Sequence, residues 1–212
     1  METIAVVDYS LGNLRSVSKA VEHVAPDSRV VVTDDPQRIE EADRVVFPGQ
    51  GAARDCMKAI GTHHVEKAVR HAAATKPFLG ICMGLQVLMQ HSEENDGTDL
   101  LGLFDGDVRR FSGNARGDNG LPLKIPHMGW SRVDQVREHP LWSGIENGAR
   151  FYFVHSYFVV PQDRSLIAAT TDYGETFTCA IAHENLFAVQ FHPEKSADAG
   201  LQLIKNFINW KP

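Results

Sequence analysis

The sequence predicts an α/β protein built on a doubly wound, mostly parallel sheet with flanking helices and an additional antiparallel portion in its second half. Short apolar runs alternate with segments of helical periodicity through residue 90, a pattern typical of parallel βαβ units. Beyond residue 103, short strand-like segments follow one another with little helical sequence between them. The chain has 212 residues, 43% of them hydrophobic, so we expect a single domain over residues 1–212.

The first half of the chain supplies the predicted parallel units. Strands are expected where β-branched and apolar residues cluster, at residues 4–8, 29–33, 44–47 and 77–81. Pro48 and the glycine after it end the third strand. Helices are expected at residues 14–24, 56–60 and 65–74, with a further helix beginning over residues 85–89.

The second half is predicted to contain loops, short strands and one closing helix. Residues 92–103 and 112–120 are rich in Gly, Asn and Asp and are expected to be loops. Strands are expected at residues 108–111, 130–133, 151–154 and 166–170. A hairpin is expected to join residues 178–182 to residues 187–191, and an amphipathic helix to cover residues 201–210.

Charge and composition exclude several classes of protein. The net charge is −6, which argues against a general nucleic-acid binder, and no apolar run is long enough to span a bilayer. The N-terminus shows no export signal, so a cytoplasmic location is expected. The three cysteines are too few and too widely spaced for a disulfide framework or a zinc site.

A candidate nucleophile lies where the fourth strand meets the following helix. Residues 80–84 read GICMG, with glycines two positions before and after Cys82. This spacing is typical of a nucleophile elbow, in which a tight turn exposes the central side chain at the start of a helix. The helix dipole would favour a thiolate there, and the backbone N–H of Met83 is placed to stabilise an oxyanion. A buried structural cysteine between packing glycines is the alternative. Cys56 and Cys179 have no flanking glycines and are expected in the core.

A candidate base follows the last strand. His192 is expected at the strand exit and Glu194 two residues later, separated by a proline. A carboxylate on one imidazole nitrogen leaves the other free to accept a thiol proton. Taken alone, this pattern is equally compatible with a solvated turn. The other histidines lie on helix surfaces or among polar residues and are weaker candidates.

The two motifs together resemble the triad, or class I, glutamine amidotransferases. Residues 80–86 read GICMGLQ and residues 190–196 read QFHPEKS, and both match that family in order and spacing. Three further segments are similar to the glutaminase subunits of imidazole glycerol phosphate synthases: residues 7–17 (VDYSLGNLRSV), 124–130 (KIPHMGW) and 151–157 (FYFVHSY). The resemblance covers essentially the whole chain.

The resemblance implies a role for each matching residue. Its catalytic residues would be the nucleophile Cys82, the base and later acid His192, and the orienting carboxylate Glu194. Its oxyanion donors would be the backbone of Met83 and of the strand 48–51, at Gln50 and Gly51. Its glutamine-binding residues would be Gln86, Glu94, Ser156 and Tyr157. Gln50 departs from the family pattern, in which an apolar residue is expected.

The resemblance also implies chemistry and partners. Glutamine would be hydrolysed through a Cys thioester without any metal or cofactor. The ammonia would pass to a separate TIM-barrel cyclase subunit in a heterodimer. The 212 residues leave no room for a barrel domain beside the glutaminase domain. We expect docking of that partner to favour a flip of the glycine-containing strand 48–51 that completes the oxyanion hole.

Three alternatives stay open at this point. The chain could be the glutaminase subunit of another synthase, such as a pyridoxal phosphate synthase. It could be a cysteine enzyme of another class with the same elbow, such as an intracellular peptidase. It could also be a degenerate amidotransferase that acts only as a regulatory subunit.

Overall fold

The computed structural model describes residues 1–113, 116 and 120–212. The predicted loop over residues 112–120 therefore lies partly outside the described residues. The strands are β1 (Thr3–Val7), β2 (Arg29–Thr33), β3 (Arg44–Gly49), β4 (Phe78–Cys82), β5 (His91–Ser92), β6 (Thr98–Asp99), β7 (Gly106–Arg110), β8 (His127–Arg132), β9 (Asp134–Gln135), β10 (Arg150–His155), β11 (Tyr157–Pro161), β12 (Ile167–Asp172), β13 (Thr176–His183) and β14 (Leu186–Val189). The helices are α1 (Leu14–Val24), α2 (Pro36–Glu41), α3 (Ala53–Thr62), α4 (Glu66–Thr75), α5 (Met83–Gln86) and α6 (Ala197–Asn209).

A large mixed sheet forms the centre of the molecule, with the strand order β2-β1-β3-β4-β14-β13-β11-β7-β5-β6. The five strands from β2 to β14 are mutually parallel, and β13, β11 and β7 continue the sheet in antiparallel pairing. Strand β12 pairs with β13 and carries β9, while β8 and β10 form a separate two-stranded sheet. This arrangement confirms the predicted parallel sheet with an antiparallel portion.

Helices cover both faces of the parallel strands, and the alternation of residues along β1 shows how. Ile4 and Val6 belong to the apolar cluster that includes α1 and α6, whereas Ala5 and Val7 belong to the cluster that includes α2, α3 and α4. Because successive side chains on a strand point to opposite faces, one strand contributes to both clusters. Every residue of β3 and β4 is buried, as expected for central strands of a parallel sheet.

Three predicted boundaries are wrong. Strand β3 continues through Pro48 to Gly49, because it pairs with β4 as far as Cys82. Helix α5 begins at Met83 and has a single turn that ends at Gln86, so the helix expected to begin over residues 85–89 starts earlier and is shorter. The last parallel strand ends at Val189 rather than at residue 191.

Other elements were not predicted at all. Helix α2 and strand β11 are absent from the sequence-based assignment. The segment 92–103, expected to be a loop, includes the short strand β6 and a 3-10 turn at Glu94–Asp96. The described helices include none that is both long and apolar enough to span a membrane.

Buried histidines make the stability of this fold sensitive to acid. Burial lowers the pKa of His127 and His139 to about 4 and that of His155 to about 3. These imidazoles are therefore neutral in the folded protein at pH 7. His127 Nδ1 and His155 Nε2 lie 3.0 Å apart in a hydrogen bond.

We expect the free energy of unfolding to fall as the pH decreases from about 6.5 toward 4. In this window the unfolded chain binds protons that the folded chain excludes, so the stabilisation present above the ordinary histidine pKa is lost. For His155 alone the loss approaches about 1.4 kcal/mol per pH unit. Urea unfolding at pH 7.5 and 5.0 measures the free energy of unfolding at each pH. His155→Gln should be less stable at pH 7.5 but less pH-dependent, and His23→Gln, at an exposed position, is the control. An unchanged pH dependence in His155→Gln would contradict the assignment.

Candidate active site

Cys82 lies at the sharp turn between strand β4 and helix α5. Its φ of 56° is in the left-handed region, which non-glycine residues rarely adopt. The flanking glycines are required by close backbone contacts. A Cβ on Gly84 would lie 1.8 Å from the carbonyl oxygen of Phe47, and one on Gly80 would lie 2.7 Å from the carbonyl oxygen of Gly84. The predicted elbow is present, and the helix that follows it has a single turn.

His192 and Glu194 form a buried hydrogen-bonded pair beside this turn. Strand β14 is parallel to β4, so its exit delivers His192 to the same edge of the sheet as Cys82. A 3-10 turn, Pro193–Lys195, then turns Glu194 back toward the imidazole. His192 Nδ1 lies 2.9 Å from Glu194 Oε1, and their side chains are only 2% and 1% exposed. This geometry excludes the solvated turn.

The environment of His192 favours its protonated form. Burial opposes the charge, but hydrogen bonding and electrostatic attraction from Cys82 and Glu194 outweigh it and raise the pKa of His192 above its ordinary value. Nε2 of His192 has no hydrogen-bond partner of normal geometry among the described residues. Long hydrogen bonds between catalytic groups are common before a substrate binds. Protonated His192 can therefore donate its Nε2–H proton toward Cys82.

The remaining cysteines are core residues, as predicted. Cys56 and Cys179 are fully buried, and burial raises the pKa of each thiol to about 12. Thiols with so high a pKa contain almost no thiolate at neutral pH and are poor nucleophiles.

A cavity of about 420 Å³ opens above Cys82 and brings the sequence-predicted residues together. The candidate site residues that line it are Cys82, Met83, Gln50, Gly51, Gln86, Glu94, Ser156, Tyr157 and His192. Glu194 lies behind His192 and does not line the cavity. The sequence assigned no role to His155 or Lys195, which also line it. Lys195 follows the His-Pro-Glu motif directly, and this position in the sequence could have indicated that it lines the cavity.

The strand 48–51 borders the cavity next to Cys82, and its glycines serve different purposes. Gly51 has a φ of 95°, which suits glycine. Gly49 is needed for space, because a Cβ there would lie 1.9 Å from the hydroxyl oxygen of the buried Tyr9. The Gln50 carbonyl accepts a 3.4 Å hydrogen bond from the Cys56 thiol. Within the described residues, the Gln50 carboxamide makes no hydrogen bond.

Glu94 is fixed at the cavity wall by backbone and side-chain bonds. Its Oε2 accepts a 2.7 Å hydrogen bond from the N–H of Ala53, at the start of helix α3. Its own N–H donates to the Ser92 hydroxyl, and its carbonyl accepts from the Thr98 hydroxyl. These contacts hold a carboxylate in place to bind a cationic group of a ligand.

Gln86 is anchored within the protein rather than free to reorient. Its Nε2 donates to the carbonyl of Tyr157 at 3.1 Å and to Oε1 of Gln190 at 3.0 Å. With both N–H groups used, Gln86 can offer a ligand only its carbonyl oxygen. The Ser156 carbonyl is also engaged, by the N–H of Phe111. The Tyr157 carbonyl accepts two hydrogen bonds, from Gln86 and His155, and is thereby fully used within the protein.

A chain of hydrogen bonds extends from Tyr157 to the second, two-stranded sheet. The Tyr157 carbonyl accepts from His155 Nδ1 at 2.7 Å, so that nitrogen carries the proton. Neutral His155 then accepts at Nε2 from Nδ1–H of His127. His127 Nε2 lies 2.8 Å from the Ser131 hydroxyl, which donates to it. All of these side chains thus have defined hydrogen-bonding roles.

Comparison with known sequences places this site in a family. The model of the family "Glutamine amidotransferase class-I" matches residues 5–210. The protein named "Imidazole glycerol phosphate synthase subunit HisH" from Thiobacillus denitrificans is 62% identical over 210 residues, covering 99% of this chain and 92% of that protein. The protein of the same name from Hydrogenovibrio crunogenus is 55% identical, covering 98% and 96%.

Solved structures with low sequence identity share the fold. A putative GMP synthase subunit from Thermoplasma acidophilum superposes with a TM-score of 0.69 at 20% identity, covering 99% of this chain and 93% of the other. The glutaminase domain of a Trypanosoma brucei CTPS, solved with bound acivicin, has a TM-score of 0.62 at 19% identity, covering 100% and 96%.

Only Cys82 should react when the folded protein is treated with iodoacetamide at pH 7.5, because the other two thiols are buried and have a pKa of about 12. Peptide mapping by mass spectrometry identifies the modified residue. Cys82→Ala should remain unlabelled, whereas Cys56→Ala should be labelled like the wild type. Labelling of Cys179 in the folded chain would contradict this assignment.

Proposed function

From the premise that the chain belongs to the class-I glutamine amidotransferase family, we propose that Cys82, His192 and Glu194 hydrolyse L-glutamine to glutamate and ammonia. The chain functions as the glutaminase subunit of an imidazole glycerol phosphate synthase, in histidine biosynthesis. The observation that carries the catalytic assignment is the buried His192–Glu194 pair beside an elbow cysteine at the cavity.

In the first half-reaction, the Cys82 thiolate attacks the side-chain carbonyl carbon of glutamine. The tetrahedral intermediate collapses to a thioester as His192 donates its proton to the departing nitrogen, which leaves as ammonia. Contacts with Cys82 and Glu194 raise the pKa of His192, so the proton is available when the amide leaves. Glu194 accepts the Nδ1–H hydrogen bond and keeps Nε2 directed at the reacting atoms.

In the second half-reaction, water hydrolyses the thioester. His192, now neutral, accepts a proton from the water, and the resulting hydroxide attacks the acyl carbon. The sulfur leaves as thiolate and glutamate is released. The same imidazole thus acts as acid and then as base.

Two backbone segments would stabilise the oxyanion in both steps. The Met83 N–H, directly after the nucleophile, supplies one donor, and the strand at Gln50 and Gly51 supplies the other. Strand pairing places Gly49 directly opposite Cys82. Losing one such donor typically costs about 10²–10³ in rate, so the orientation of this strand controls the activity.

The cavity offers complementary groups to the rest of glutamine. Glu94 is the carboxylate among the described lining residues and would bind the α-ammonium group. The Gln86 carbonyl oxygen would accept from an N–H of the substrate, since its own N–H groups are already used. Ser156 and Tyr157 complete the wall.

A partner subunit would receive the ammonia, since ammonia released into water is protonated and ceases to be a nucleophile. We infer a TIM-barrel cyclase, which combines ammonia with a phosphoribulosyl-formimino nucleotide to give imidazole glycerol phosphate and aminoimidazole carboxamide ribotide. An exposed apolar surface next to the cavity supports a docking site. Met128 and Trp130 on β8 are 62% and 48% exposed. Pro126 lines both the active-site cavity and a neighbouring groove that includes Met128.

The alternatives fit less well. Relatives at 52–62% identity are named as subunits of imidazole glycerol phosphate synthase, which disfavours a glutaminase subunit of another synthase. A degenerate regulatory subunit would not need to keep a buried, hydrogen-bonded His192–Glu194 pair beside an elbow cysteine at the cavity.

Cys82→Ser should abolish glutamine-dependent synthesis by the complex, reducing it by about 10³-fold or more, because no thioester forms. Synthesis from added ammonium salt should stay near the wild-type rate, since the partner subunit performs that step. Imidazole glycerol phosphate formation measures both activities, and Cys179→Ala is the control for loss of a thiol. If both activities disappeared in a complex that remained assembled, the assignment would be wrong.

Met128→Glu should weaken binding to the cyclase subunit by about tenfold or more, because it places a charge on the exposed apolar surface. Isothermal titration calorimetry of the two purified subunits measures the affinity. Val32→Glu, an equally drastic change at the exposed edge strand β2, should bind normally. Equal affinities for the wild type and Met128→Glu would place the docking surface elsewhere.

A further inference from the structure

We propose that Gln190 is a positioning residue for the nucleophile: its carboxamide donates a hydrogen bond to Cys82 Sγ, and Gln86 holds it in that orientation. Nε2 of Gln190 lies 3.7 Å from the sulfur, within hydrogen-bond range for that atom. The inference rests on the proposed function, because it assigns Gln190 to the same reaction. In the sequence, this residue has no role beyond its place in the second motif.

The orientation of the Gln190 amide follows from its neighbours. The carbonyl of Tyr157 can only accept, so Gln86 must present its NH₂ group there. The second N–H of Gln86 then points to Gln190, which must accept with Oε1. The NH₂ group of Gln190 is left facing Cys82. Reversing either amide would set two donors or two acceptors against each other.

Burial gives this arrangement its strength. Gln190 is fully buried and Gln86 is only 3% exposed. Both amides therefore form hydrogen bonds with each other and with other protein groups rather than with water. The backbone of Gln190 is also held, through its N–H and the carbonyl of Cys179. An amide placed in this way does not need to reorganise when charge appears on the sulfur.

The Gln190 amide would serve the reaction as a hydrogen-bond donor to the sulfur that differs from His192 in one respect. The imidazole loses its proton during the first half-reaction, whereas an amide keeps its N–H groups throughout. Gln190 can therefore stabilise the thiolate both before the attack and when the sulfur leaves in thioester hydrolysis. Hydrogen bonds to charged groups are stronger than those between neutral groups, so the thiolate gains more than the thiol.

The pH dependence of Cys82 alkylation by iodoacetamide tests this role without using glutamine. Gln190→Met keeps the length and bulk of the side chain but has no donor. The pH midpoint of its alkylation rate should rise by about one unit, which lowers the rate about tenfold below the midpoint. Gln162→Met, at an exposed position, is the matched control and should show the wild-type profile.

Gln86→Met provides an independent variant, because it leaves Gln190 in place but removes the group that orients it. It should shift the midpoint in the same direction, and the double variant should shift it no further than Gln190→Met does. A wild-type midpoint in Gln190→Met, with thermal unfolding showing that the variant is folded, would overturn the proposal. If Gln190→Met does not fold, a wild-type midpoint in Gln86→Met overturns it.

Labelling with the glutamine analogue 6-diazo-5-oxo-L-norleucine separates this inference from the proposed function. If, with the partner subunit bound, wild-type Cys82 reacts with iodoacetamide but not with the analogue, glutamine chemistry is wrong, while the shifted iodoacetamide profile still supports the role of Gln190. If Cys82 reacts with both and the profile does not shift, the proposed function stands and the role of Gln190 is rejected.

Discussion

The close approach of three backbone segments at the elbow is the constraint on which the site depends. Gly84 packs against the Phe47 carbonyl of strand β3, and Gly80 packs against the Gly84 carbonyl. A methyl group at either glycine would push these segments apart. Their contact places Cys82 beside the end of β3, so the strand 48–51 and the elbow reach the cavity as neighbours. The strained φ of Cys82 is maintained because these contacts leave the turn no room to relax.

Sheet order then brings together groups that are distant in the sequence. Cys82 and His192 leave neighbouring parallel strands, β4 and β14, although 110 positions separate them. Parallel strands present their carboxyl ends at one edge, which is where α/β proteins bind ligands. The buried Arg44 connects the start of β3 to the end of the chain, because its guanidinium donates to the carbonyls of Phe207 and Trp210.

Local patterns predicted what local physics determines. The strand at residues 29–33 and the hairpin around Glu184 were recognisable because β-branched runs and turn residues act over a few positions. The elbow and the His-x-Glu pair were recognisable because each needs specific residue types at a fixed spacing. Helix α2 was missed because its six residues carry only one buried apolar side chain, Ile39. The contacts of Gln190 with Cys82 and Gln86 could not be predicted, since a buried amide acquires its partners only when the chain folds.

The polarity of the hydrogen bonds behind the cavity has a consequence for proton movement. Donors point at the Tyr157 carbonyl from both sides, from His155 and from Gln86. A carbonyl that accepts from both neighbours has no proton to pass on, so relay hopping stops at this residue. The path from Ser131 to Cys82 is continuous in hydrogen bonds but cannot carry a proton past the Tyr157 carbonyl. Along this chain of hydrogen bonds, no proton passes from His127 or His155 to Cys82.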